Sequence, residues 1–318
     1  MKNATTMKRI MLALAALVCA ASFASAQDMA VATETYNNGV MALQGGDKAA
    51  ALSYFNEALS LGQACGDEGA ELVTNCKNAI PGIILSIAKG KINDGAYDEA
   101  IKTLDEAAAK AKEYGVDGIP AEAAELTTNA YLRKGTSLLK EKDMAGAAGA
   151  LEKVVAAEPN NGNASLMLGQ ALMGCADIDG AIEAFKAAAA NGKADQANKM
   201  LGNIYLKQGQ ALLKGGKNAE AVEAFQTANS YVENPASYKL IASAYSKLGK
   251  TSASLEAYKK YLELNPTAKD AAGVKLTIAA TAQKAGDKAT AIEYYQQIVG
   301  DAQYGATAKQ QLDVLKGK

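Results

Sequence analysis

The stretch Pro235-Ala-Ser-Tyr-Lys-Leu-Ile-Ala-Ser-Ala-Tyr245, followed by Leu248-Gly249 and then by Ser254, Tyr258, Tyr261 and Pro266, decides the fold. Large and small apolar residues recur in it every three or four positions, the spacing of one helical face. Gly249 separates two such helical patterns and supplies the backbone freedom of a tight reversal. Ser254 is a small residue opening the second helix, where it lets the first helix approach closely. Tyr258, one turn later, fills the gap beside it.

The same small-x3-large element runs down the chain in phase. It reads Ala51 and Phe55, Ala100 and Leu104, Ala147 and Leu151, Ala181 and Phe185, Ala221 and Phe225, Ser254 and Tyr258, and Ala291 and Tyr295. The large residues are spaced 49, 47, 34, 40, 33 and 37 apart. Three residues beyond each stands Ala58, Ala107, Val154, Ala188, Ala228, Tyr261 or Ile298. Five residues before each small residue is a turn glycine (Gly46, Gly95, Gly216, Gly249 or Gly286), except in two repeats, where Lys142 and Ala176 take the place. A small residue also marks the middle of each first helix: Gly39, Ala88, Gly135, Gly169, Gly209, Ala242 and Ala279.

This pattern resembles the tetratricopeptide repeat, a 34-residue helix-turn-helix with the pattern W-x2-L-G-x2-Y, then A-x3-F, then a closing Pro. Tyr131, Tyr205 and Tyr238 stand where the family has Trp, so the repeats are divergent. The resemblance spans roughly residues 30 to 300 and implies an all-α fold, a right-handed α-solenoid of about seven repeats. The first helices over 69–92, 120–141, 194–215 and 267–285 read as longer than the family norm. Residues 301–318 carry one more amphipathic pattern, Tyr304, Ala308, Leu312 and Leu315, expected to form a C-terminal capping helix.

The composition agrees with this reading and narrows the function. The chain has 318 residues, 49% of them apolar, with 29 glycines, five prolines, no Trp and no His. Absent histidine excludes Ser-His-Asp and Cys-His catalysis and His-based zinc sites. A formal net charge of −1 argues against a nucleic-acid binder. Gly249-Lys250-Thr251 ends like a phosphate-binding loop, but residue 244 is Ala and no strand precedes it, so it reads as a turn. Asp98 and Glu99, and the recurring Asp47, Asp143, Asp179 and Asp287, sit where carboxylates cap second helices. No catalytic residue, metal site or cofactor is expected.

The N-terminus reads as an export signal: Lys2, Lys8 and Arg9, an apolar run from Ile10 to Ala21, then Ala24-Ser25-Ala26. Cleavage after Ala26 would leave Gln27 first and bring the net charge to −4. The expected organisation is thus a cleaved signal over 1–26, a solenoid over 27–300 and the cap over 301–318. The mature chain is expected in a bacterial periplasm and not integral to the membrane. Lipid anchoring at Cys19 is the rival, with Val18 where that signal wants a small residue. Export permits disulfides. Cys65 and Cys76 either form a bridge contributing about 3 kcal/mol or are two small buried thiols. Cys175 is expected in the core.

The resemblance further implies that the first helix of each repeat faces a concave groove. One row there reads Tyr36, Leu85, Leu132, Leu166, Leu206, Lys239 and Leu276. The row two turns on reads Leu43, Ile92, Leu139, Met173, Leu213, Ser246 and Gln283, and Gln170 and Gln210 lie between them. Lys140, Lys214, Lys247 and Lys284 border the second row. Family members that grip a chaperone's C-terminal carboxylate use a Lys/Asn/Arg clamp, which is replaced here mostly by Leu and by Gln or Thr. The wall suits a protein or peptide ligand with apolar side chains, or its leucines pack internally or against another subunit. The expected role is a non-catalytic scaffold associated with envelope complexes. A self-associating structural component of the envelope is the alternative.

Overall fold

The computed structural model describes residues 23–317. The export signal, with Cys19, lies almost wholly outside the described residues. The helices are α1 (Phe23–Gln44), α2 (Lys48–Ala64), α3 (Ala70–Asn93), α4 (Tyr97–Tyr114), α5 (Ile119–Glu141), α6 (Met144–Ala157), α7 (Gly162–Gly174), α8 (Ile178–Ala188), α9 (Ala194–Lys214), α10 (Asn218–Tyr231), α11 (Pro235–Lys247), α12 (Thr251–Leu264), α13 (Ala271–Lys284), α14 (Lys288–Gln296) and α15 (Gly305–Lys316). No strand occurs among the described residues. Odd-numbered helices pair with the next even-numbered one in seven antiparallel hairpins, and α15 covers α14. The fold is therefore the expected all-α solenoid type with a terminal helix.

The hairpins group into two compact units divided between Pro159 and Asn160. The first holds three hairpins, and one continuous core, from Ala32 to Ala130, joins α1 to α5. The second holds four hairpins and α15, with its core in three successive clusters, the last two of which share Tyr238 and Tyr258. Within each unit the order is that of a repeat array, in which each hairpin buries its apolar face on its neighbours. First helices also meet directly, α1 with α3, α3 with α5 and α9 with α11, whereas no two second helices meet to that extent. The first helices are thus the inner wall of each unit.

The small–large spacing is the physical lock of each hairpin. Ala51, Ala100, Ala147, Ala181, Ala221 and Ala291 are fully buried, as are Phe55, Leu104, Leu151, Phe185 and Phe225. The large side chain seats on the small residue of the facing first helix. A Cβ built on Gly169 would stand 2.7 Å from the Phe185 ring, and one on Gly209 2.6 Å from that of Phe225. In the sixth hairpin Ser254 replaces alanine, and its buried hydroxyl donates to the Ala242 carbonyl at 2.8 Å.

All five expected turn glycines have positive φ, and so do Lys142 (65°) and Ala176 (62°). Gly249 is such a turn residue and Thr251 opens α12, which disposes of the phosphate-loop likeness. Asp47, Asp143 and Asp287 accept from backbone N–H groups of their helices. In the fourth hairpin the cap is Asp177, which accepts from Gly180 N at 3.0 Å, and not Asp179, which lies in the first turn.

Three of the four long first helices have the expected extent. The fourth does not: α13 starts at Ala271 instead of 267, because Pro266 enters a turn and the Asp270 carboxylate is held by Lys239 and Tyr261. Among the described residues, Cys65, Cys76 and Cys175 are free thiols. Cys76 is buried in the first core, and desolvation pushes its thiol up to about 12. Cys65 is half-buried. Cys175 is exposed, contrary to expectation, because it is the C-cap of α7 at a hairpin turn.

Candidate functional site

In the first unit the inner wall is closed at α3 by its own side chains. Leu85 and Ile92 are 3% and 4% exposed, sealed in the core by the hairpins on either side of α3. They therefore do not line an open groove. Tyr36 packs edge-on against Phe55 with ring centroids 5.1 Å apart. Lys89, between the two rows, pairs with Glu122 of α5 at 2.6 Å. Leu132 and Leu139 are half-buried on α5, and the Thr136 hydroxyl between them donates to the Leu132 carbonyl.

The second unit differs along its length. Leu166 is buried against α8 and α9, while Met173 is half-buried and Gln170 exposed. At the far end Lys239 and Gln283 are satisfied internally. Lys239 forms an ion pair with Asp270 and lies 4.9 Å from the centre of the Tyr261 ring, whose hydroxyl donates to Asp270 at 2.6 Å. The Lys239 hydrogen bond, followed by that of Tyr261, holds the Asp270 carboxyl below its ordinary range. Gln283 accepts from Tyr295 and donates to Gln311, which ties α13 to α14 and α15.

Between these stretches α9 keeps an open face. Ala197, Leu201 and Ile204 turn into the core. Helical periodicity then places Lys199, Asn203, Leu206, Lys207, Gln210 and Lys214 together on the opposite side. Leu206 and Leu213 are half-buried, and the other polar members of this face are exposed.

The α10–α11 connection completes a shallow indentation beside Leu206. Val232 is extended there and 41% exposed. Asn234 caps α11 by accepting from Ala236 N, while the Asn229 side chain accepts from Ser237 Oγ at 2.6 Å and from Asn234 N at 3.2 Å. These bonds pin the connection in place. The indentation, about 160 Å³, is lined by Lys199, Gly202, Asn203, Leu206, Ala228, Val232 and Asn234. Gly202 lowers its floor, since it presents only backbone toward Val232. Tyr205 and Tyr231 stack nearby, 5.8 Å apart and 8° from parallel, and brace α9 on the end of α10.

Of the expected groove residues, the structure brings Leu206, Gln210 and Leu213 together on α9 and puts Gln170 and Met173 on α7. Sequence reasoning missed Lys199 and Asn203, which the i, i+3, i+7 spacing from Leu206 could have found, and Val232, for which the sequence carries no signal. Among the described residues no three His, Cys, Asp or Glu side chains converge as a metal-binding group. No described helix is long and apolar enough to cross a membrane.

No curated protein matches the chain. Among solved structures, the MamA protein is 23% identical, over 57% of this chain and 94% of its own, with a TM-score of 0.32. The TPR2AB domain of yeast Sti1, in its pHSP90 complex, is 16% identical over 91% of this chain and 99% of its own, with a TM-score of 0.32. The C-terminal part of a TPR repeat-containing protein from Cytophaga hutchinsonii is 15% identical over 74% and 96%, with a TM-score of 0.32. Two family models described as Tetratricopeptide repeat match residues 138–204 and residues 206–268 and 239–306, together more than half the chain. With these matches and seven helical hairpins carrying the repeat's small–large lock in phase, the chain belongs to the tetratricopeptide repeat family.

Proposed function

We propose that this protein is an exported, non-catalytic scaffold that holds a protein or peptide partner against the inner wall of its second unit. The single observation behind this is the open face of α9, where half-buried Leu206 and exposed Asn203 and Gln210 adjoin the indentation, while Leu85, Ile92 and Leu166 are buried and Lys239 is paired. Exposed amides there can pair with an extended backbone, and Leu206 with Val232 offers apolar surface worth about 25 cal/mol per Å² buried. The repeat family supports the scaffold role by analogy of fold.

Photo-crosslinking groups at Leu206 and Gln210 in intact cells should capture a common species. The same group at Glu223, exposed on α10, should not. Capture of that species from Glu223 as well would show that the inner wall is not the site.

The basic N-terminus, apolar run and Ala24-Ser25-Ala26 support export to a periplasm and association there with envelope components. N-terminal sequencing of the cell's protein should begin at Gln27. A chain retaining Met1 refutes the export reading, and one starting at a lipidated Cys19 replaces it with anchoring. Light scattering should give a mass independent of concentration. Growth of mass without a partner would favour a self-associating structural component.

A further inference from the structure

Charge in the second unit is sorted between its two rows of helices. The first helices α7, α9, α11 and α13 contain seven lysines and one acid, Asp195. The second helices α8, α10, α12 and α14 contain four lysines and seven acids. Exposed Lys199, Lys207, Lys214, Lys247 and Lys284 have no carboxylate partner among the described residues. By contrast Lys239, Lys186, Lys217 and Lys260 in the same unit are paired. The inner wall therefore holds uncompensated positive charge beside the Leu206 indentation, on a protein that is net negative.

We propose, resting on the scaffold reading above, that the partner segment is an acidic polypeptide: an extended stretch with spaced Asp or Glu side chains and an apolar side chain for the Leu206–Val232 indentation. Lys207 and Lys214 are two helical turns apart, about 10 Å, which is the reach of about three residues of extended chain. Lys247 follows on the neighbouring first helix, an interaxial step of about 10 Å. Carboxylates at every third position thus meet successive lysines. The acidic second-helix row repels a broad polyanion such as a nucleic acid or an anionic bilayer, whereas a single extended strand fits the basic row alone. The segment need not be a chain terminus, since the charges that meet it are spread along two helices.

Fluorescence anisotropy on the full chain tests this. The probes are a short peptide with glutamate at every third position and leucines between, its glutamine isostere, and the acidic peptide with an amidated C-terminus. The acidic peptide should bind about tenfold tighter than the isostere and should weaken as ionic strength rises. Amidation should change nothing. The triple variant K207Q/K214Q/K247Q should weaken the acidic peptide about tenfold and leave the isostere unaffected, while K288Q on α14 should leave both unchanged.

Equal binding of the isostere overturns the acidic-segment proposal and leaves the scaffold reading standing. So does binding of neither peptide while Leu206 still crosslinks its partner in cells. Loss of both peptide binding and those crosslinks sinks the two together. Tighter lysine-dependent binding to phosphatidylglycerol vesicles or to single-stranded RNA than to the acidic peptide also overturns the proposal.

Discussion

Lys142 and Ala176 hold the left-handed turn geometry that glycine holds in the other five hairpins. A side chain there costs about 1 kcal/mol against glycine. Lys142→Gly and Ala176→Gly should each raise stability by about 0.5–1 kcal/mol in urea titrations; a loss would mean that those side chains make compensating contacts. Gly209 presents the opposite sign. An exposed helical Gly→Ala change stabilises by about 1 kcal/mol, but here the new methyl would meet the Phe225 ring at 2.6 Å. Gly209→Ala should therefore cost about 1–3 kcal/mol, and a stabilised variant would show the hairpin lock to be slack. Thiol labelling should rank the cysteines by exposure, Cys175 first and Cys76 last, since the buried Cys76 thiol is pushed up to about 12 and stays protonated at neutral pH. Both non-glycine turns were legible in the repeat phase, because a turn position is set by residues a few places away. The exposure of Cys175 was not, because it depends on how far the α7 end projects beyond its neighbours.

Helix starts show where spacing resolves a role and where it blurs. Asp177 and Asp179 are two residues apart, and only bond geometry separates them. Asp177→Ala should cost about 1 kcal/mol through loss of the Gly180 bond, whereas Asp179→Ala should stay within about 0.5 kcal/mol; equal losses in thermal melts would reject the assignment. The α11–α13 junction adds a pH dependence. The Asp270 carboxyl is lowered by hydrogen bonds from Lys239 and then Tyr261. A folded pKa below the unfolded one contributes stability above about pH 4 that is lost as pH falls through the folded value. Asp270→Asn should therefore lower stability at neutral pH, with the deficit closing in strong acid. A pH-independent deficit would assign the effect to packing. The same junction shortens α13, because a carboxylate fixed from two other helices holds the chain in a turn that a helical pattern alone does not reveal.

At the scale of the whole molecule, the terminal helix is the piece whose role a single change can test. Ala308 and Leu312 of α15 are buried in the last core cluster with Ile298 and Tyr295. Leu312→Asp should detach α15, lower the melting temperature and produce concentration-dependent growth in light scattering, as an apolar face opens. An unchanged melt and a constant mass would show that α15 is no cap. The number of hairpins, their phase and their locks follow from sequence alone, because each lock joins residues one helical turn apart to a facing residue at a constant offset. Which parts of the inner wall stay open was decided only by tertiary structure. Leu85 and Leu206 are the same residue at the same repeat position, yet one is sealed in the core and the other borders an indentation. The difference lies in what stands opposite. A hairpin packs on each side of both helices, but beside Leu206 the neighbouring surface is a pinned loop and a glycine, and such long-range neighbours leave no mark within one repeat's own pattern.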